Sequence, residues 1–185
     1  VFIAFFILIQ FNFLTILLGI SSMSLAFAYP YMKRITYWPQ LFLGLTFNWG
    51  LIMAWTSMNN YISFEILVLY LSAIFWTLGY DTIYGAQDMS DDEIIGIKST
   101  AIKFKKNLKK FIGVSYFATA LSLIYLFYEK FGLNIFSILM IIFILSLFYQ
   151  VLRLDINNPK ICLNLFKLNN FSGLILFVSL LTISF

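Results

Sequence analysis

Histidine is missing from the 185 residues, cysteine occurs once, proline three times, and charged side chains make up only 11% of the chain. Without histidine there is no imidazole to ligate a metal or to act as the commonest general base. Any catalysis must therefore rest on carboxylates, Lys, Arg, Tyr or a bound cation. The single cysteine, Cys162, cannot form an internal disulfide and says nothing about redox compartment; packing at a membrane edge accounts for it. So little charge beside 62% hydrophobic and 20% aromatic residues excludes an ordinary soluble fold. What is present is a series of apolar runs of about 17 to 25 residues, long enough to cross a hydrocarbon core of about 30 Å. Runs such as 135–147 are apolar on every side, whereas the strands of a membrane barrel alternate every second residue. The expected fold is all-α, a polytopic transmembrane helical bundle in one membrane domain.

The apolar pattern predicts the end of one span over 1–9 and further spans over about 13–29, 40–55, 63–80, 111–127, 133–149 and 171–185. Pro30 is expected to stop the second, because a helix interior does not easily accept proline. Alternating the spans puts the polar connections at about 30–39, 81–110 and 152–170 on one face. Those three hold Lys33, Arg34, Lys98, Lys103, Lys105, Lys106, Lys109, Lys110, Arg153, Lys160 and Lys167, while the opposite face holds only Lys130. An asymmetry of eleven to one makes the basic face cytoplasmic. The chain opens on Val1 inside an apolar run, and is read as part of a longer protein.

The segment 81–93, Asp-Thr-Ile-Tyr-Gly-Ala-Gln-Asp-Met-Ser-Asp-Asp-Glu, directly follows a span. If the helix continues, Asp81, Tyr84, Asp88 and Asp92 share a face at i, i+3, i+7 and i+11. Converging carboxylates repel unless a cation or cationic side chains neutralise them, and oxygen-only ligands suit Mg²⁺, which takes one or two carboxylates plus substrate phosphates. Lys98, Lys33 or Arg34 would add positive charge for phosphate oxygens. The competing explanation is a solvated charge run in which Asp91, Asp92 and Glu93 are balanced by the lysines that follow. Lys103, Lys105, Lys106, Lys109 and Lys110 are explained as positive-inside anchors touching anionic lipid head groups. Asn48, inside the third span, needs a partner or a polar ligand for its amide, which makes it a second-rank site candidate.

Two motifs carry a family resemblance. Tyr29-Pro30-Tyr31-Met32-Lys33-Arg34-Ile35-Thr36-Tyr37-Trp38-Pro39-Gln40, and later Asp81 through Thr100 with Asp-Thr-x-Tyr-x-x-x-Asp-x-x-Asp-Asp and Gly-Ile-Lys-Ser-Thr, resemble the UbiA prenyltransferase superfamily. The closest resemblance is to members that transfer a polyprenyl group from polyprenyl diphosphate to the ring of 4-hydroxybenzoate in ubiquinone biosynthesis. The resemblance implies nine helices in the full enzyme, about six to seven of them here, and Mg²⁺ held between two Asp-rich motifs. Only the second is present, so the 185 residues alone are expected to be inactive. It implies that Asp88 and Asp92, with Asp91 beside them, bind the metal. Asp88 and Arg34 would be catalytic, and Lys33, Arg34, Lys98, Asp81 and Tyr84 would contact diphosphate or the aromatic acid. Membrane lipid is an expected partner, nucleic acid is not, and a bacterial inner membrane is the expected location. Another UbiA-type enzyme, a haem O synthase or a menaquinone-pathway prenyltransferase, is the alternative. A cation transporter is more distant, since its ionisable groups belong near the bilayer midplane.

Overall fold

The computed structural model describes residues 2–183. Val1, Ser184 and Phe185, at the outer ends of the first and last predicted spans, lie outside the described residues. The described residues contain no strand. In chain order the helices are α1 (Phe2–Leu8), α2 (Phe13–Ile35), α3 (Pro39–Phe47), α4 (Trp49–Asn59), α5 (Phe64–Gln87), α6 (Met89–Ile95), α7 (Thr100–Lys103), α8 (Leu108–Phe127), α9 (Ile135–Arg153) and α10 (Pro159–Leu181). Single 3₁₀ turns at Lys105–Asn107 and Tyr128–Lys130 bracket α8. Six segments are long and apolar enough to cross a membrane: α2, the α3–α4 pair, α5, α8 with its turns, α9 and α10. This is an integral membrane bundle.

The turn residues of the sequence start the helices. Asn12, Ser63, Asn134 and Asn158 each accept a hydrogen bond from the backbone N–H three residues on, satisfying a donor that the first helical turn leaves orphaned. Asn60 at φ 58° closes α4 and Gly96 at φ 80° closes α6, both in the left-handed region.

Three predicted boundaries are corrected. Helix α2 runs through Pro30 to Ile35, because membrane helices tolerate proline where soluble ones break. That carries Lys33 and Arg34 on the last turn of a helix rather than in a loop over 30–39. Helix α5 continues past Tyr80 to Gln87, so Asp81, Thr82 and Tyr84 are helical. Helix α10 begins at Pro159, capped by Asn158, which reduces the predicted 152–170 connection to a few residues. The third span is in fact two helices, broken at Asn48.

Helix α5 is the hub, packed against α3, α4, α7, α8 and α10. Its 24 residues span about 36 Å. Since lipid is as apolar as leucine, polar contacts add what the hydrophobic effect cannot. The Tyr116 hydroxyl of α8 donates to Gln150 Oε1 of α9 at 2.7 Å, and Asn169 of α10 donates to the same oxygen at 3.0 Å. Ser72 and Thr119 each donate to the other's backbone carbonyl, at 3.2 and 3.3 Å, joining α5 to α8. Around these lie the buried Ile83, Leu108, Ile112, Met140, Phe143 and Leu147.

Gly79 of α5 lies under the Tyr116 ring, where a Cβ would overlap the ring carbons. The hydrogen bond to Gln150 prevents the ring from swinging aside. Gly79→Ala is therefore expected to destabilise the α5–α8 contact by about 1–3 kcal/mol. This is measured as a lower thermal unfolding midpoint in detergent; an unchanged midpoint would show that the two helices separate at no cost.

Candidate active site

The two sequence motifs meet at the end of the bundle where α2 stops and α5 emerges. Pro39, at the first position of α3, sets the start of that helix and delivers Gln40 into the interior, where it is 4% exposed. Its Oε1 accepts the backbone N–H of Thr100 at 2.9 Å. The Thr82 hydroxyl gives its proton to the Leu78 carbonyl at 2.6 Å, so Thr100 is the donor in the 2.7 Å contact between the two threonine hydroxyls. Gly85 completes the junction. A Cβ there would stand 3.2 Å from Gln40 Nε2 and 3.5 Å from Ala101 Cβ.

A backbone bridge runs alongside, with the Lys98 N–H donating to the Lys33 carbonyl at 2.8 Å. The Lys98 ammonium donates to the Ile35 carbonyl at 3.2 Å and lies 5.6 Å from the centre of the Tyr37 ring, at the negative end of α2. Lys103 sits 4.4 Å over Trp38, whose edge meets Phe104 and Phe111. Lys105 forms a 2.7 Å ion pair with Glu93, which separates Glu93 from the other acids. For these two lysines the structure thus adds partners within the protein to the anchoring expected of them.

Beside this junction lie the carboxylates. The helix does not run unbroken through 81–92. Asp88 ends α5 and begins α6 at φ −103° and ψ 10°, although its carbonyl still accepts the Asp92 N–H at 2.9 Å. Burial holds the Asp92 carboxyl above its ordinary range, an effect that Lys33 opposes and that Asp88 and Asp91 reinforce. Lys33 is also within electrostatic reach of Asp81. Arg34 is exposed on the same last turn of α2, and Asp91 is exposed on α6. Tyr84 turns toward α10, its ring 4.8 Å from that of Phe166. Asp81 lines a cavity of about 410 Å³ together with Asn48, Thr77, Tyr80, Asn169 and Asn170. The Asn48 amide donates to the Gly44 carbonyl at 2.9 Å and to Thr77 Oγ1 at 2.8 Å, so it has protein partners while it lines that wall.

Among the described residues no three acidic, cysteine or histidine side chains come together to hold a metal unaided. The donor chemistry nevertheless fits a hard cation. Gln87 Nε2 donates to Asp88 Oδ1 at 3.2 Å, and Gln87 Oε1 is buried without a donor, so an orphaned oxygen belongs to the residue beside the Asp88 carboxylate, the ligand type a hard cation takes. Half of a divalent-cation site, completed by phosphate oxygens or further carboxylates, matches these groups.

The architecture is that of an integral membrane protein with a polar cavity lined by Asp81, whose carboxylate Lys33 influences. Residues 1–179 match the UbiA prenyltransferase family, and the chain belongs to it. It is 42% identical over 182 residues to the bovine protein named 4-hydroxybenzoate polyprenyltransferase, mitochondrial, covering 94% of this chain and 47% of that one. The human protein of the same name is 41% identical over 182 residues, again 94% and 47%. The Arabidopsis thaliana protein of that name is 53% identical over 104 residues, 56% of this chain and 26% of that one. The chain thus spans about half the length of the curated relatives it matches. The apo structure of a UbiA homolog from Aeropyrum pernix K1 shares the fold, with a TM-score of 0.76 at 22% identity over 96% of this chain and 67% of that one. The expected bacterial inner membrane draws no support from relatives named mitochondrial; membrane integration rests on the helices themselves.

Gln40, Thr82 and Thr100 stood inside the motifs but had no role in the sequence reading; their signal was polarity at positions flanking long apolar runs. Gln40→Leu leaves the Thr100 N–H buried without an acceptor, a cost of about 1–3 kcal/mol. The expected result is faster amide exchange and proteolysis across 96–104 with the transmembrane helices intact; unchanged protection there would mean that the clasp is redundant.

Proposed function

We propose that this chain supplies the second acidic half of an enzyme that transfers a polyprenyl group from polyprenyl diphosphate to the ring of 4-hydroxybenzoate. The observation that carries the reading is the Gln40–Thr100 clasp. With the Lys98–Lys33 backbone bridge beside it, it ties the last turn of α2, which carries Lys33 and Arg34, to the segment that follows the acidic residues, and Lys33 lies within electrostatic reach of Asp81 and Asp92. The names of the relatives support the acceptor, and family membership supports the donor.

Asp88 and Asp92, with Asp91 and the orphaned Gln87 oxygen nearby, are the groups proposed to hold Mg²⁺, which when bound stabilises negative charge on the departing diphosphate. Arg34 presents a planar fork to phosphate oxygens and Lys33 a compact charge between Asp81 and Asp92. Lys98 joins them by releasing the Ile35 carbonyl. As the allylic C–O bond breaks, its electron pair leaves with the diphosphate. The ring carbon ortho to the phenol forms the new C–C bond and then loses its proton to the released diphosphate, restoring the aromatic ring. The chain's contribution is positive charge fixed in advance where the leaving group develops negative charge, in a cavity walled against water by apolar helices. Asp81, at the cavity mouth, is proposed to orient the acceptor's phenol. The acidic edge belongs to the membrane face that holds eleven of the twelve basic side chains.

The test is Mg²⁺-dependent transfer of a labelled polyprenyl group to 4-hydroxybenzoate, in membranes carrying this chain extended to the length of its relatives. Asp88→Asn and Asp92→Asn are each expected to lower kcat at least about a hundredfold, the scale of one lost electrostatic contact to the transition state. Turnover of haem or naphthoate acceptors in place of 4-hydroxybenzoate would move the assignment to another branch of the family. Unchanged Mg²⁺ dependence in both variants would refute the metal assignment.

A further inference from the structure

A second cavity of about 360 Å³ adjoins the one at Asp81, deeper along α5, with Leu51, Leu69, Ala73, Leu123 and Leu176 on its wall. Three residues line both: Phe47 and Asn48 at the break between α3 and α4, and Trp76 on α5. The upper chamber has six polar or hydroxylated side chains, Asn48, Thr77, Tyr80, Asp81, Asn169 and Asn170, and the lower is lined mainly by apolar side chains, with Asn48, Ser72 and Thr119 the exceptions. Asp81 and Leu69, in the upper and lower walls, are twelve residues apart on one helix, a depth of about 18 Å. The two spaces together suit a molecule with a charged head and a long apolar tail, and Trp76 stands at the neck between them.

The indole is fixed there from several sides. Its Nε1–H donates to Asn169 Oδ1 at 3.0 Å. Asn169 is itself held by Gln150, giving a hydrogen bond to Gln150 Oε1 at 3.0 Å and receiving one from Nε2 at 3.3 Å, and Gln150 accepts from Tyr116. The ring meets Phe143 edge-on at 5.3 Å and Tyr80 at 6.0 Å. Across from it Gly173 provides clearance, since a Cβ there would lie 3.2 Å from the far edge of the indole. A partly buried tryptophan held from behind in this way offers a fixed face to whatever occupies the neck.

We propose that Trp76, positioned by Asn169, is a specificity-determining residue, the fixed wall past which the prenyl tail threads and which separates it from the aromatic acceptor. This rests on the prenyl-transfer reading above. It makes the neck's width, rather than the volume of the lower groove, the filter on tail entry and on acceptor placement.

The experiment compares kcat and KM for farnesyl and solanesyl diphosphates, and KM for 4-hydroxybenzoate, in the extended chain and its variants at matched membrane levels. Trp76→Ala is expected to change the ratio of kcat/KM between the two donors about tenfold, the scale of a small volume change in an apolar pocket. The acceptor KM is expected to rise while kcat on the preferred donor moves less. Asn169→Leu, which frees the indole, shifts both in the same direction. Gly173→Ala, which presses on the ring without removing it, does so to a smaller degree and serves if Trp76→Ala does not accumulate. An unchanged donor ratio and acceptor KM in these variants would overturn the proposal. A second readout needs no turnover: farnesyl diphosphate without Mg²⁺ is expected to quench tryptophan fluorescence, and Trp76→Phe to abolish most of that quench. Failure of the unsubstituted protein to transfer either donor would sink the prenyl-transfer reading, and the quench would then still decide whether Trp76 faces the tail.

Discussion

Everything chemical in this molecule hangs on one buried hydrogen bond, from the Thr100 N–H to the side-chain oxygen of Gln40. The residues it joins are sixty positions apart and belong to different helices, yet both are almost wholly removed from solvent. An unmade hydrogen bond in that setting carries the full desolvation cost of each partner, so the contact behaves as all or nothing. With it in place, Lys98 reaches the end of α2, α2 presents Lys33 and Arg34, and Asp92 on the acidic turn has Lys33 within electrostatic reach. The charged side chains at this edge are partly or fully exposed; the clasp beneath them is buried. A site built this way keeps its geometry in the scaffold and its charge at the surface.

The bundle follows a related logic. Its hydrophobic surface supplies little net attraction between helices when lipid is the alternative, and the contacts that select partners are Tyr116, Gln150, Asn169, Ser72 and Thr119, all at the meeting of helices. Small residues play the complementary part. Gly79 lets Tyr116 lie flat on α5, and Gly173 makes room for the indole of Trp76. Polar side chains that would be costly alone in hydrocarbon are satisfied in pairs, and the pairing records which helices are neighbours.

Much of the architecture was legible in the sequence because hydropathy and charge asymmetry are properties of runs, averaged over many residues. The number of spans, their alternation and the acidic connection all belong to that class. The errors fell where a single residue decided. Pro30 reads as a stop in water, but inside a membrane helix it leaves α2 intact. Asp88 reads as one more turn of a continuous helix, but it is the joint between two. Asn48 reads as an isolated polar residue, but it marks an interruption of the span. The Asp-rich segment and the basic residues before it were visible as motifs, whereas the clasp that joins them was not. Nothing local in the sequence pairs Gln40 with Thr100, since the pairing exists only once α3 and α7 are both packed on α5. Trp76 and Asn169 were hidden for the same reason, ninety-three positions apart and each unremarkable within an apolar helix.

The interruption at Asn48 also bears on how the protein sits against its surroundings. Where α3 ends and α4 begins, peptide groups lose their regular partners, and hydrocarbon has nothing to give them. The Asn48 N–H finds the Gly44 carbonyl and its side chain bridges to Thr77, but Phe47 beside it is 71% exposed. Acyl chains are poor neighbours for a broken backbone, and Phe47 and Asn48 at the break line both cavities, so this flank belongs to the interior space of the bundle. That single seam orients the whole assembly. It marks which side of the bundle must turn toward protein or an aqueous cleft, and leaves the unbroken outer faces of α8 and α9 to the lipid.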